Sequence, residues 1–265
     1  KGYINDGLNT TDITLEADSM TVSGMRLEDA SLHLESPGDT LHLAANALKH
    51  NSDGGMLSLS IAGKAANNNV NASLKWNNGS GNEFNGSLNI GGQFYQNIEG
   101  EAIAKINITP SEVMINDSLW HLRRAGITYS ANRLAVDNFL LEHGEQHIRI
   151  NGMATKSHKD SLTVSLKDVN VAYIMNLVDF HSVEFDGYAT GDAVATSVFS
   201  TPEAHADLVV RDFLFEQGRM GVLTVSADWD NSLGQINIKG RCDDPDVKPL
   251  YLPLSSSAEK SDAKP

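Results

Sequence analysis

The stretch "INDSLWHL" (115–122) poses the question on which the fold turns. Asn116, Asp117 and Ser118 lead straight into Leu119, Trp120 and His121, with Arg123 and Arg124 just beyond. One reading is a reactive corner, with His and Arg over a substrate. The other is a hairpin turn that delivers a large apolar side chain into a β core. Successive side chains of a strand point to opposite faces. Trp120 and His121 are neighbours, so a strand separates them, whereas a catalytic trio needs convergence. The spacing favours a turn at Asn116-Asp117-Ser118, Trp120 facing inward, and His121 with the arginines on the outer face and its rim. The phase of Val113 and Ile115, carried through the turn, would instead turn Leu119 inward, so Trp120 inward requires a bulge.

Working outward, the same alternation recurs. Leu57, Leu59 and Ile61 share a face, as do Leu74 and Trp76, Leu88 and Ile90, and Ile106 and Ile108. Further along come Ile148/Ile150, Leu162/Val164/Leu166, Leu223/Val225 and Ile236/Ile238. Apolar residues at every second position, with Ser, Thr, Asn, Lys or His between, mark strands with one buried face. Turn clusters such as "SPGD" (36–39), "NNN" (67–69) and "HGEQ" (143–146) punctuate them. Only "NVAYIMNLVDF" (170–180) has helical spacing, at Val171, Ile174, Met175 and Val178. It predicts one or two helical turns that cap or cross the sheet. Apolar-x-apolar-x-Gly runs ending at Gly63, Gly92, Gly152, Gly187 and Gly240 have unequal spacing, so they form no repeat array. Glycines at strand ends predict bulges or corners.

Composition narrows the function. A net charge of −14 over 265 residues, with no basic run beyond Arg123-Arg124, argues against nucleic acid. The single Cys242 permits neither an internal disulfide nor a cysteine zinc site. No apolar run approaches the roughly 20 residues that span a bilayer as a helix, which predicts a soluble piece. The start at "KGYIND" reads as part of a longer, processed protein. No phosphate loop, nucleophile elbow or HExxH motif occurs. His143, Glu145 and His147 lie across a turn, where they face different ways. Asp243, Asp244 and Asp246 lack the spaced loop of a tight calcium site. Glu28, Asp29 and Glu35 near His33 and His42 sit where polar strand positions collect such residues. These readings predict a non-enzyme without metal or cofactor.

About 20 strands are needed to use up the chain, and there are almost no helices to cover an apolar face. The expected fold is all-β: a long, mainly antiparallel curled sheet forming an elongated trough with an apolar interior and at most one short helix. It is continuous over 1–254, followed by a polar tail at 255–265 that reads as disordered. A partly closed trough leaves an apolar groove suited to acyl chains. A closed core without ligand is the alternative.

Over 110–240 the sequence resembles the TamB/AsmA-like family of bacterial envelope proteins, in the Bacteroidetes form. The resemblance rests on Asn116-Asp117-Ser118 before Leu119 and Trp120, then "LAVDNFLL" (134–141), "QHIRINGMA" (146–154) and "DSLTVSLKDVNVAYI" (160–174). "FDGYATG" (185–191) and "ADLVVRDFLF" (206–215) complete it. Over 1–109 only cadence and composition agree. The resemblance implies a non-enzymatic periplasmic segment whose groove carries phospholipid or other acyl lipid between inner and outer membranes. An outer-membrane barrel partner would be engaged through parts of the parent protein outside this chain, which would also hold the membrane anchor. The expected groove lining is Leu57, Leu59, Ile61, Leu74, Trp76, Leu88, Ile90, Ile106, Ile108, Trp120, Ile148, Ile150, Leu162, Val164, Leu166, Leu223, Val225, Ile236 and Ile238. The same bacterial group implies O-glycosylation acceptors at Ser19, Thr40, Ser118 and Ser161, each in an Asp-Ser/Thr-apolar triplet where a turn enters a strand. Turn chemistry accounts for these triplets equally well. The competing functions are a β-scaffold that assists outer-membrane protein assembly by strand pairing, and a surface glycan-binding or adhesin β-domain.

Overall fold

A computed structural model describes residues 2–5, 10–22, 25–50, 55–79, 84–173, 184–216 and 218–243. They form 18 strands: β1 (Gly2–Asn5), β2 (Thr10–Val22), β3 (Met25–Pro37), β4 (Leu41–His50), β5 (Met56–Ala66) and β6 (Asn69–Asn77). Then come β7 (Phe84–Gln96), β8 (Ala102–Ile108), β9 (Ser111–Ile115), β10 (Ser118–Leu122), β11 (Ala125–Ser130) and β12 (Arg133–His143). The last six are β13 (Gln146–Ala154), β14 (Ser161–Asn170), β15 (Phe185–Thr196), β16 (Glu203–Phe215), β17 (Gly218–Asp230) and β18 (Gln235–Asp243). All belong to one sheet, and each registered pairing is antiparallel. Strands of up to 13 residues explain why 18 suffice where about 20 were expected.

The sheet is an up-and-down meander with one irregularity at its middle. β7 pairs with β8 through Ile90–Gln96 and with β9 through Phe84–Gly86. β8 and β9 thus make a single rung broken at Thr109-Pro110, where proline cannot donate to the ladder. The next rung is broken too: β10 pairs with β9, β11 with β8, and both meet β12. Arg123 and Arg124 occupy that break, and the Arg123 backbone N–H donates to the Leu140 carbonyl at 2.8 Å. Two strand pairs share rungs in this way, so 18 strands make 16 rungs, roughly 70 Å of sheet at about 4.8 Å per step.

The register sorts the side chains. Following pairs from β4 to β18, one face collects Leu43, Ile61, Leu74, Leu88, Ile108, Val113, Trp120, Leu141, Ile150, Val164, Ala193, Leu208, Val225 and Ile238. The other collects His42, Ser60, Lys75, Asn89, Glu112, His121, Arg149, Ser165, Asp192, Asp207, Ser226 and Lys239. Among the described residues, buried apolar side chains occur on the apolar side only from Ile108 to Phe213. One cluster holds Val113, Ile115, Trp120 and Val169, with Trp76 and Tyr173 packed on it. A second holds Val171, Ala189, Val210 and Phe213. A third, at the broken rungs, holds Ile108, Leu122 and Ala125.

Bulges account for the part of this distribution on β12–β17. In the second half of the sheet, register shifts fall between Val136 and Phe139, between Leu166 and Val169, between Asp186 and Tyr188, and from Val210 through Phe213 to Leu214. Asn138, Asp168 and Asp212 take the left-handed conformation there. An extra residue bends and twists a strand, and these bends crowd the apolar side chains of β12–β17 together. One more register shift, between Glu28 and Ser31 with Asp29 left-handed, lies on β3, where no residue is buried. From β4 to β7 the pairing carries no register shift, and no residue there is fully buried.

Three sequence expectations change. Trp120 faces inward without a bulge: Asn116 and Asp117 both have positive φ and alone form a two-residue turn. That turn sets Ile115 opposite Ser118 and Val113 opposite Trp120, so the Val113/Ile115 phase selects Trp120, and Ser118 belongs to the strand. Of the five glycines expected at bulges or corners, Gly152 and Gly187 adopt positive φ beside register shifts, while Gly63, Gly92 and Gly240 sit in regular pairing. Asp18-Ser19 lies within β2 rather than at a strand entry. The helical turn begins at Val171 and is described through Tyr173; Ile174, Met175 and Val178 lie outside the described residues, as do Asp244, Asp246 and the tail at 255–265.

Candidate functional site

All nineteen residues expected to line a groove fall on the apolar face. Leu59 opposes Trp76, Ile61 opposes Leu74, and Leu74 opposes Leu88. Ile90 opposes Ile108, Ile148 opposes Leu166, and Ile150 opposes Val164. At the far end Leu223 opposes Cys242, Ala227 opposes Ile238, and Trp229 opposes Ile236. Leu41, Leu43, Leu32 and Leu34 extend the face through β4 and β3, where sequence reasoning assigned no groove residue. Their alternation in "LHLES" and "LHLAA" was the available signal.

Exposure along this face is uneven. Trp120 is 1% exposed, Val169 0% and Ala189 1%, so the middle is covered. Tyr173, from the helical turn, meets Trp120 edge-on at 6.2 Å between ring centres, and Val171 fills the second cluster. The two ends are open: Ile61 is 40% exposed on one side, Ile236 59% and Ile238 68% on the other. Gly86 shapes the near end. It lies opposite Trp76, and a Cβ there would stand 2.7 Å from the indole ring. The glycine lets the ring lie flat over the strand.

The polar face holds most of the charged groups that the sequence offers for chemistry. His121 lies there with its Nδ1 3.6 Å from Glu112, on the side of the sheet away from Trp120. Arg123 donates from Nε to Glu142 at 2.6 Å. His143 is the exception: it closes the β12–β13 turn with Gln146 on the apolar face, its ring tilted against Trp120 at 5.7 Å between centres and its Nδ1 2.7 Å from the Leu119 carbonyl, while His147 pairs on the polar face with Lys167. His33 stands between Asp12 and Glu35 at 3.8 and 3.7 Å. His205 lies between Asp228 and Asp207 at 2.7 and 2.8 Å, and these hydrogen bonds, Asp228 first, raise its pKa above the ordinary value. The Arg211 guanidinium hydrogen-bonded to Asp168, assisted by the Thr190 hydroxyl, holds the Asp168 carboxyl below the usual range. That pair spans β15 and ties the β14 bulge to β16.

Among the described residues, no group of three or more His, Cys, Asp or Glu is placed to hold a metal ion, and no helix is long and apolar enough to cross a membrane. Cys242 is exposed on β18. Of the four Asp-Ser/Thr-apolar positions, Ser19 and Ser161 are exposed, Thr40 precedes β4, and Ser118 opens β10 opposite Ile115. A depression of about 910 Å³ opens on the polar face beside the broken rungs, lined by Ser60, Lys75, Asn89, Glu112 and His121 among others.

No family model matches the chain, and no curated protein or solved structure matches it.

Proposed function

We propose that the chain is a periplasmic segment of a TamB/AsmA-like envelope protein, and that its apolar face holds acyl chains of lipids passing between the membranes. The observation that carries this reading is the continuous apolar face from β3 to β18, left open at both ends where no other layer of the described structure covers it. Exposed apolar surface on this scale marks a binding surface. Its side chains are aliphatic, with few polar groups to orient a ligand, which suits chains that differ only in length. The sequence resemblance supports the same role.

Lipid extraction from protein purified without detergent tests the reading. Phospholipid should be recovered from the wild type. Ile61→Glu and Ile238→Glu, at exposed positions where a carboxylate is tolerated by the fold, should each lower the yield. Lipid-free wild-type protein would overturn it.

A second reading, assistance to outer-membrane barrel assembly by strand pairing, is favoured by one observation. Among the described residues β18 is registered only with β17, and all nine of its residues are exposed. Such an edge accepts an added strand. Photo-crosslinks from Asn237 or Lys239 to an unfolded barrel substrate would support it, and their absence would remove it.

A further inference from the structure

We propose a phosphate-binding site on the polar face, at the break between β10 and β11, independent of any lipid on the apolar face. A depression of about 310 Å³ is lined there by Arg123, Arg124, Asn138, Leu140, Arg149 and Asn151. Three guanidinium groups and two side-chain amides make up five of the six lining residues, and no carboxylate is among them. This is unusual for a chain of net charge −14.

The backbone brings these groups together. Arg123 sits beside Leu140 through its N–H, and Leu140 is directly opposite Arg149 on β13. Two guanidinium-bearing residues thus flank one leucine across three neighbouring rungs. The β12 bulge adds the amides: Asn138, at φ 56°, donates its backbone N–H to the Asn151 side-chain oxygen at 3.2 Å. That contact occupies the acceptor of Asn151 and leaves its amide N–H groups for a ligand. Arg123 is engaged by Glu142, but Arg124 and Arg149 make no side-chain hydrogen bond or ion pair among the described residues.

A cavity walled by donors, with two uncompensated guanidinium groups, calls for an oxyanion. Guanidinium forks match carboxylate and phosphate alike, but two free positive charges balance a phosphate with two ionisable oxygens, inorganic phosphate or a monoester, at about −1.5 to −2 near neutral pH, and more than balance the single charge of a diester headgroup. The phosphate could belong to a small solute or to a lipid headgroup in a membrane surface. The overall negative charge disfavours approach to an anionic bilayer and favours the solute.

Calorimetric titration of the intact chain with inorganic phosphate at low ionic strength tests the proposal, alongside flotation with phosphatidylglycerol and with phosphatidylcholine vesicles. The wild type should bind phosphate, and the Arg124→Gln/Arg149→Gln double variant should bind at least tenfold more weakly. Arg124→Lys/Arg149→Lys should recover part of the loss, since it keeps the charge without the fork. Both arginines are exposed, and unchanged circular dichroism checks that each variant folds. Arginine-dependent binding of phosphate without flotation assigns a solute. Arginine-dependent flotation with phosphatidylglycerol alone assigns a headgroup. Equal binding by wild type and the Gln variant, or no binding in either arm, overturns the proposal.

Discussion

At the scale of single residues, Trp120 decides the orientation of the sheet. Its indole is almost fully buried against Val113, Ile115 and Val169, and the Asn116-Asp117 turn places it there. Trp120→Ala should therefore cost about 3–5 kcal/mol, as for other large aromatic deletions in cores, whereas Leu119→Ala on the opposite face should cost under about 1 kcal/mol. Urea unfolding of both variants checks the contrast, and equal losses would contradict the assigned faces. His205 behaves differently because it is exposed. Protonated, it donates to Asp228 and Asp207 together; neutral, it can donate to only one. Its folded pKa lies above 6.5, so the stabilising contribution is complete below the unfolded pKa and is lost as pH rises through the folded value. A proton NMR titration should place the His205 midpoint above 6.5, and Asp228→Asn should bring it down.

At the scale of elements, the bulges of β12–β16 shape the part of the core that those strands hold. Gly187 is an example. It sits at φ 128° beside the β15–β16 register shift, and a Cβ there would stand 2.8 Å from the Arg211 carbonyl oxygen and 2.8 Å from Val210. Gly187→Ala should destabilise by about 2–3 kcal/mol through strain and displacement of the second cluster, read as a lower urea midpoint. Gly63→Ala, in regular pairing, should do less. The same contrast explains what was legible in the sequence. Alternation identified the strands and the shared face of Ile61, Ile150 and Ile238, because period-2 patterning acts residue by residue. Asn138, Asp168 and Asp212 gave no such signal: aspartate and asparagine in a strand look the same whether they sit in a bulge or face water. The pocket around Arg124 and Arg149 was equally hidden, since it joins groups on separate rungs.

At the scale of the whole molecule, the covered centre separates two open apolar ends. β4–β7 lie on one side and β17–β18 on the other, with Trp120, Tyr173 and Val171 between them. If each end holds acyl chains on its own, Ile61→Glu and Ile238→Glu should each remove part of the bound lipid, and the double variant nearly all of it. The quantity of phospholipid per protein, measured by mass spectrometry, checks this. A single substitution that empties both ends would instead require one continuous channel beneath the helical turn.

The broken rungs have a separate consequence for how the chain finds this structure. Almost every strand pairs with its immediate neighbours in sequence, so most of the ladder can lengthen one hairpin at a time, with little loop-closure entropy at each step. At the centre this changes: β8 reaches past the short β9–β10 hairpin to β11, and β10 must reach β12. These pairings lock four strands into a closed set that no single hairpin completes. The middle therefore acts as a cooperative clamp, whereas the regular ladders on either side can fray and re-form rung by rung.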